Sequence, residues 1–179
     1  FLTSVAEQDM ERALECLARD QYQISVRAIV EATLLRDGRA LASYRGLNEV
    51  VVSSVTNRVV DLDVALDGDP VTSYMCDGVI VSTPTGSTGH SLSAGGPILT
   101  PETQALLMCL ICPHTLSSRP MVVPASSELA LTVGSANCTG SVKATSCAHV
   151  GAAVTEPARD LGIATTSGER ATDGPAVTA

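Results

Sequence analysis

"VVDLDVALDG", residues 59–68, sets Val60, Leu62, Val64 and Leu66 on one side of an extended chain and ends on Asp67-Gly68. Apolar residues recurring with a period of two mark a half-buried strand, and an Asp-Gly pair at its end marks a hairpin turn. The same pattern occurs upstream. Ile24, Val26, Ala28, Val30 and Ala32 alternate with Ser25, Arg27 and Glu31, and Arg36-Asp37-Gly38-Arg39 turns the chain back through Leu41, Tyr44 and Leu47 into Val-Val-Val at 50–52. Downstream, Val79-Ile80-Val81-Ser82 reads as a buried strand, and 121–123 and 129–133 read as further β segments. Two helices complete the pattern. The first runs over 5–20, capped by Thr3 or Ser4, with Glu7 placed for a capping box and Val5, Ala13, Leu14 and Leu17 as its apolar stripe. The second is short, from Pro101 to about Met108, after Gly95-Gly96-Pro97-Ile98. Many short strands with hairpin turns and few helices predict a mainly β chain, an antiparallel β-sandwich with a leading helix and a short helix after the GGPI motif.

Composition narrows the possibilities. The chain has 179 residues, 45% of them hydrophobic and only 2% aromatic, so its core must be built from Val, Leu, Ile and Ala. A net charge of −8 and a pI near 4.7 exclude the basic footprint of a nucleic-acid binder. No apolar run approaches the roughly 18 residues of a membrane span, and the opening FLTSVAEQDM has neither a basic nor an apolar leader region. The six cysteines follow no disulfide spacing, and Cys109-Leu-Ile-Cys112 is a lone CxxC without a second ligand pair. Free thiols in a reducing, cytoplasmic setting are the expectation. Phe1-Leu2, with no Met before it, reads as the middle of a longer protein. From Gly134 to Ala179 the only large aliphatic residues besides Val are Leu161 and Ile163. Such a segment offers little burial against its ordering entropy. The chain therefore divides into a helical connector at 1–21, a β domain at 22–133, and a tail at 134–179 expected to be disordered or foreign to the fold.

The stretch DGVIVSTPTGSTGHSLSAGGPI, residues 77–98, is where chemistry is expected. A strand breaks at Pro84 into Thr85, Ser87, Thr88, Ser91 and Ser93, interleaved with Gly86, Gly89, Gly95 and Gly96. These groups bury little apolar surface but supply many donors and acceptors, and glycine lets backbone approach a ligand closely. PTGSTGH lacks the Gly-Lys-Ser/Thr ending of a P-loop, and no GxGxxG follows the strand. Gly89-His90-Ser91-Leu92-Ser93 falls one residue short of a GxSxG elbow. Free N–H groups there suit a phosphate or an adenine nitrogen; the plainer reading is a polar turn capping a short helix. Asn48-Glu49 suits vicinal ribose hydroxyls, because an ionised Glu only accepts while Asn both donates and accepts. It equally suits a solvated strand edge, and Asp77 before Gly78 is also an ordinary turn residue.

Taken together, LNEVVV at 47–52, the long segment at 77–98 and ICPHTLSSRPMVVPASSELAL at 111–131 resemble the C-terminal half of NAD kinases. The resemblance spans roughly Phe1 to Val133, and Phe1-Leu2-Thr3 is similar to the end of the family's GFLT segment. It implies an antiparallel β domain that follows an N-terminal α/β domain. It also implies transfer of a phosphoryl group from ATP or polyphosphate to the adenosine ribose 2′-hydroxyl of NAD, with a divalent ion such as Mg2+, in a homo-oligomer (dimer or tetramer).

The resemblance assigns NAD contacts to Asn48, Glu49, Arg58, Asp77, Thr85 and the run Thr88, Gly89, His90, Ser91, Leu92 and Ser93. Asn48 and Glu49 would take the adenosine, and Asp77 the nicotinamide end. His114 and Arg119 read as structural or interfacial. Three departures stand out. Thr88-Gly89-His90 replaces the family's Thr-Ala-Tyr, Met75 stands where several members carry a basic residue, and no GGDGT segment occurs. The Asp of that segment is the family's proposed base, so no catalytic or metal-binding residue is assigned in this chain. A fragment of an NAD kinase, inactive alone, is one reading; a stand-alone NAD-binding or oligomerisation module without turnover is the other.

Overall fold

A computed structural model describes residues 5–36, 38–54, 59–115, 118–134, 139–146, 149–150, 154–157 and 161–167. They fall into two units, one holding 5–26 and the other beginning at Arg27.

In the first unit a single 3-10 turn, Glu7–Asp9, runs into α1, Met10–Ala18. The helix is shorter than the 5–20 expected, because Ala6 is extended ahead of it; the expected caps Thr3 and Ser4 lie outside the described residues. It ends where Asp20 turns left-handed (φ 54°) and the Gln21 N–H donates back to the Cys16 carbonyl at 2.8 Å. Ile24 and Val26, expected in a strand, are exposed and unpaired.

The second unit is an antiparallel β-sandwich. Its strands are β1 (Val30–Arg36), β2 (Arg39–Gly46), β3 (Glu49–Ser54), β4 (Val60–Leu66), β5 (Asp69–Cys76), β6 (Gly78–Ser82), β7 (Ala105–Ile111), β8 (Met121–Pro124) and β9 (Leu129–Val133). Four more follow: β10 (Thr139–Ser146), β11 (His149–Val150), β12 (Val154–Pro157) and β13 (Leu161–Ser167). One sheet has the order β2-β1-β13-β9-β4-β5 and the other β11-β10-β3-β6-β7-β8, with β12 paired to β10.

Both expected hairpins form. In the β4–β5 hairpin Asp67 and Gly68 take φ of 52° and 88°, the pair of positive values that a type I′ turn needs and that matches the strand twist. The inward residues Val60, Leu62 and Val64 meet Val30, Leu34, Leu129 and Leu131 of their own sheet. Across the sandwich they meet Val50, Val52, Val79, Val81, Leu106 and Met108 in one continuous core.

Two further expectations are corrected. The short helix stands before the GGPI motif, at His90–Ser93, and the segment after it is the strand β7. Six of the seven residues of β7 are fully buried, since the second sheet is covered on both faces there. A continuous apolar run of that length carries no period to separate strand from helix. The tail also differs. Within 134–179, β13 lies between β1 and β9, with Ile163 opposite both Leu34 and Leu131, and β10 pairs with β3. Main-chain ladders seat these strands, so their small side chains understated their place in the fold. Among the described residues no helix is long and apolar enough to cross a membrane, and Cys16, Cys76, Cys109 and Cys112 are free thiols.

Candidate functional site

The chain leaves β6 at Thr83 and turns at Pro84 into a 3-10 turn, Thr85–Thr88, and then α2, His90–Ser93. This turn is sewn to the residues before β3. The Thr83 N–H donates to the Asn48 carbonyl at 2.8 Å and the Thr83 hydroxyl to the Leu47 carbonyl at 2.6 Å. The Ser82 hydroxyl reaches the same Asn48 carbonyl at 3.2 Å, and the Gly86 N–H donates to the Thr83 hydroxyl oxygen at 3.2 Å. Gly86 is the closest approach: a Cβ there would run into the Asn48 carbonyl. Four hydrogen bonds and one glycine contact therefore bring Asn48, Glu49 and Thr85 to one end of the second sheet.

Glu49 opens β3 between Ser82 of β6 and Thr145 of β10 and is only 5% exposed. A carboxylate so placed is costly unless it serves an interaction. The Thr85 hydroxyl oxygen is buried and has no hydrogen-bond partner among the described residues, an arrangement a folded chain rarely leaves without a purpose.

The remaining hydroxyls divide in a way that residue type alone does not reveal. Ser87 donates to the Pro84 carbonyl at 2.7 Å and accepts from the Leu99 N–H at 3.0 Å. Ser91, expected to face a ligand, is fully buried, and its hydroxyl lies 3.2 Å from the carbonyls of both Gly86 and Ser87. The Gly96 N–H returns to the Ser91 carbonyl at 2.8 Å, and a Cβ on Gly96 would stand 2.7 Å from the Cys109 sulfur. The segment 85–99 is thus a cover folded over the outer face of the second sheet, against Val51, Ile80, Leu107 and Cys109. Burial pushes the Cys109 thiol up to about 11, so it packs there as a neutral group. Thr88, Gly89, His90, Leu92 and Ser93 form the exposed rim of this cover.

Asp77 is not brought to this place. It precedes β6, whereas Thr83 follows it, and six residue steps of extended chain separate them by roughly 20 Å. The Asp77 carboxylate stands 3.9 Å from the His114 Nε2 instead. His114 thereby faces a residue expected to contact the ligand, a relation that sequence reasoning missed. The signal lay in β7: its register puts Ile111 opposite Gly78, so reading 105–111 as a strand would have carried the Cys112-Pro113-His114 turn to Asp77. Arg58 lies outside the described residues. Among the described residues no three His, Cys, Asp or Glu side chains come together as a metal site.

Residues 47–159 match the family model of the ATP-NAD kinase C-terminal domain. The chain is 46% identical over 136 residues to an NAD kinase of Koribacter versatilis, covering 75% of this chain and 48% of that protein. It is also 46% identical over 134 residues to an NAD kinase of Heliobacterium modesticaldum, covering 74% and 47%. Among solved structures, yeast NADH kinase complexed with NADH superposes with a TM-score of 0.82 at 27% identity, covering 94% of this chain and 48% of that one. The chain spans about half the length of the curated relatives it matches.

Proposed function

The chain belongs to the ATP-NAD kinase C-terminal domain family, and from that premise we propose that it is the NAD-binding half of an enzyme that phosphorylates the adenosine ribose 2′-hydroxyl of NAD. One observation carries the reading: the Ser82–Gly86 turn is locked onto Leu47 and Asn48 by hydrogen bonds through both main chain and hydroxyls. The Asn48 main-chain carbonyl serves that lock, and its side-chain amide meets the adenine edge. Glu49, held nearly buried at the start of β3, accepts hydrogen bonds from the ribose hydroxyls and orients the 2′-oxygen. The buried Thr85 hydroxyl supplies a further polar contact. The exposed rim from Thr88 to Ser93 closes over the ligand, with the His90 ring in stacking position and Ser91 supporting the rim from beneath. Arg58 is kept as a further contact on the strength of the family likeness alone.

Asp77 takes the nicotinamide end. Since it lies at the opposite end of β6 from Glu49, a homo-oligomer in which a neighbouring copy contributes Asp77 accounts best for both groups serving one ligand. Phosphoryl transfer also requires a donor, ATP or polyphosphate, and neutralisation of its charge. This sequence has no GGDGT segment to hold phosphates or take the 2′ proton. A divalent ion would assist such a transfer, but the described residues offer it no three-ligand cage. The chain alone therefore binds NAD weakly and does not transfer.

Titration calorimetry of the chain with NAD tests this reading. Saturable binding is expected, weakened in Glu49→Gln by about 10- to 150-fold, the equivalent of one charge-assisted hydrogen bond of roughly 1.5–3 kcal/mol. Thr85→Val should weaken it less. Absence of NAD binding, or unchanged affinity in a folded Glu49→Gln variant, would overturn the assignment.

A further inference from the structure

Asp77 and His114 come from different connections, yet main-chain bonds fix them relative to one another. The Asp77 N–H donates to the Ile111 carbonyl at 2.9 Å, and the His114 N–H donates to the Met75 carbonyl at 2.8 Å. Each bond crosses to the other's side, so the backbone holds the two residues as neighbours, and their carboxylate and imidazole stand 3.9 Å apart. Both side chains open to solvent, at 44% and 50% exposure, where a ligand can meet them.

The ionisable groups of the elements meeting here are Asp61 and Asp63 on β4, Asp69, Tyr74 and Cys76 on β5, Cys109 on β7, and Cys112 and Arg119 of the β7–β8 connection; β6 carries none. Burial, with Asp77 and Asp61 adding to it, pushes the Cys76 thiol up to about 11 against a hydrogen bond from Gly78 that lowers it. That thiol stays neutral at physiological pH, while carboxylates and guanidinium groups as a class hold their charge there. An imidazole is the side chain that changes charge between about pH 5 and 8. His114 places such an imidazole beside the Asp77 carboxylate.

We propose that His114 is a specificity-determining residue that makes the preference for oxidised over reduced dinucleotide depend on pH. The inference rests on the assignment of Asp77 to the nicotinamide end of the ligand. The nicotinamide ring of NAD is a cation, whereas the dihydronicotinamide of NADH is neutral and nearly the same size. With His114 neutral, the Asp77 carboxylate attracts the cationic ring. With His114 protonated, the carboxylate is countered and the imidazolium opposes that ring. NADH senses neither change to the same degree, so acidification lowers the preference for NAD. Linkage requires the converse: bound NAD makes His114 easier to deprotonate, and bound NADH does so less.

The test measures dissociation constants of NAD and NADH for the wild-type chain, His114→Gln and His114→Asn at about pH 5.5 and about pH 8, bracketing the imidazole range. The ratio of the two constants cancels pH effects on contacts that both ligands share. It should move two- to fivefold toward NADH on acidification in the wild type, roughly the range of an exposed charge pair, and should be flat in both variants. Proton NMR titration of the wild-type His114 ring, free and with each dinucleotide, reads the converse effect without any substitution. A flat wild-type ratio, a pH dependence retained in the variants, or equal ring titrations with NAD and NADH overturns the inference while leaving NAD binding itself standing. Failure to bind either dinucleotide at either pH overturns the underlying assignment together with it.

Discussion

At Gly86 an added methyl group would meet the Asn48 carbonyl and come within 2.6 Å of the Ser82 hydroxyl oxygen. The carbonyl is main chain and has no rotamer to retreat into. Gly86→Ala must therefore push the turn off Asn48 or distort the start of β3, where Glu49 sits. Forcing one extra carbon into a packed site costs on the order of 1–3 kcal/mol, a fall in Tm of several degrees for a domain of this size. NAD affinity should fall as well, although Gly86 offers the ligand no side chain. A calorimetric scan and an NAD titration of the same variant check both, and an unchanged Tm with unchanged affinity would show that the lock is not what holds the site. This is also the scale at which the sequence is hardest to read. Thr85, Ser87, Thr88, Ser91 and Ser93 look alike as hydroxyl residues, but Ser87 and Ser91 spend their hydroxyls on carbonyls beneath the cover. Which hydroxyls turn inward depends on the outer face of β7, more than ten residues further along the chain.

At the level of elements, legibility follows the side-chain period. β4 and β1 alternate and carry Asp-Gly turns, so both hairpins are legible in the residues alone. β7 is apolar at nearly every position because both its faces are covered, and such a run reads as a helix as readily as a strand. β13, with the sequence Leu-Gly-Ile-Ala-Thr-Thr-Ser, carries too few large side chains to announce a core strand, yet its register places it between β1 and β9. Ile163 lies in the middle of that register. Ile163→Pro would remove a ladder donor and set the ring against a neighbouring strand, a change that proline makes tolerable only at sheet edges. Leaving one buried carbonyl without its donor already costs roughly 1–3 kcal/mol, and the loss should spread to both flanking strands. The expected result is a lower unfolding midpoint in urea, with faster amide exchange at β1 and β9. The midpoint of the parent chain, retained in the Pro variant, would place 161–167 outside the sheet and restore the expectation that the tail is disordered or foreign to the fold.

For the molecule as a whole, the chemistry proposed is distributed between this chain and what it lacks. In that proposal the sandwich supplies the end that takes the acceptor: a nearly buried carboxylate, a locked turn, and a cover whose rim is exposed. Transfer of a phosphoryl group needs donor and acceptor oxygens in line, charge neutralised on the moving group, and a base or an oriented proton path at the 2′-hydroxyl. In the proposed reading this chain meets the acceptor side of that requirement, and the sequence holds no GGDGT segment for the donor side. Binding one reactant without positioning the other leaves the reaction bimolecular, and the advantage of orientation, worth roughly 7–11 kcal/mol in well-aligned systems, is forfeited. Purified chain incubated with NAD, ATP and Mg2+ should therefore yield no NADP above the level of a protein-free control, even at NAD concentrations that saturate binding. Supplying the N-terminal half of a related NAD kinase on the same polypeptide should restore turnover. Steady NADP production by the chain alone, at the rate of such a joined protein, would mean that the donor site and the base lie within these 179 residues, and that the division of labour assigned to the two halves is wrong.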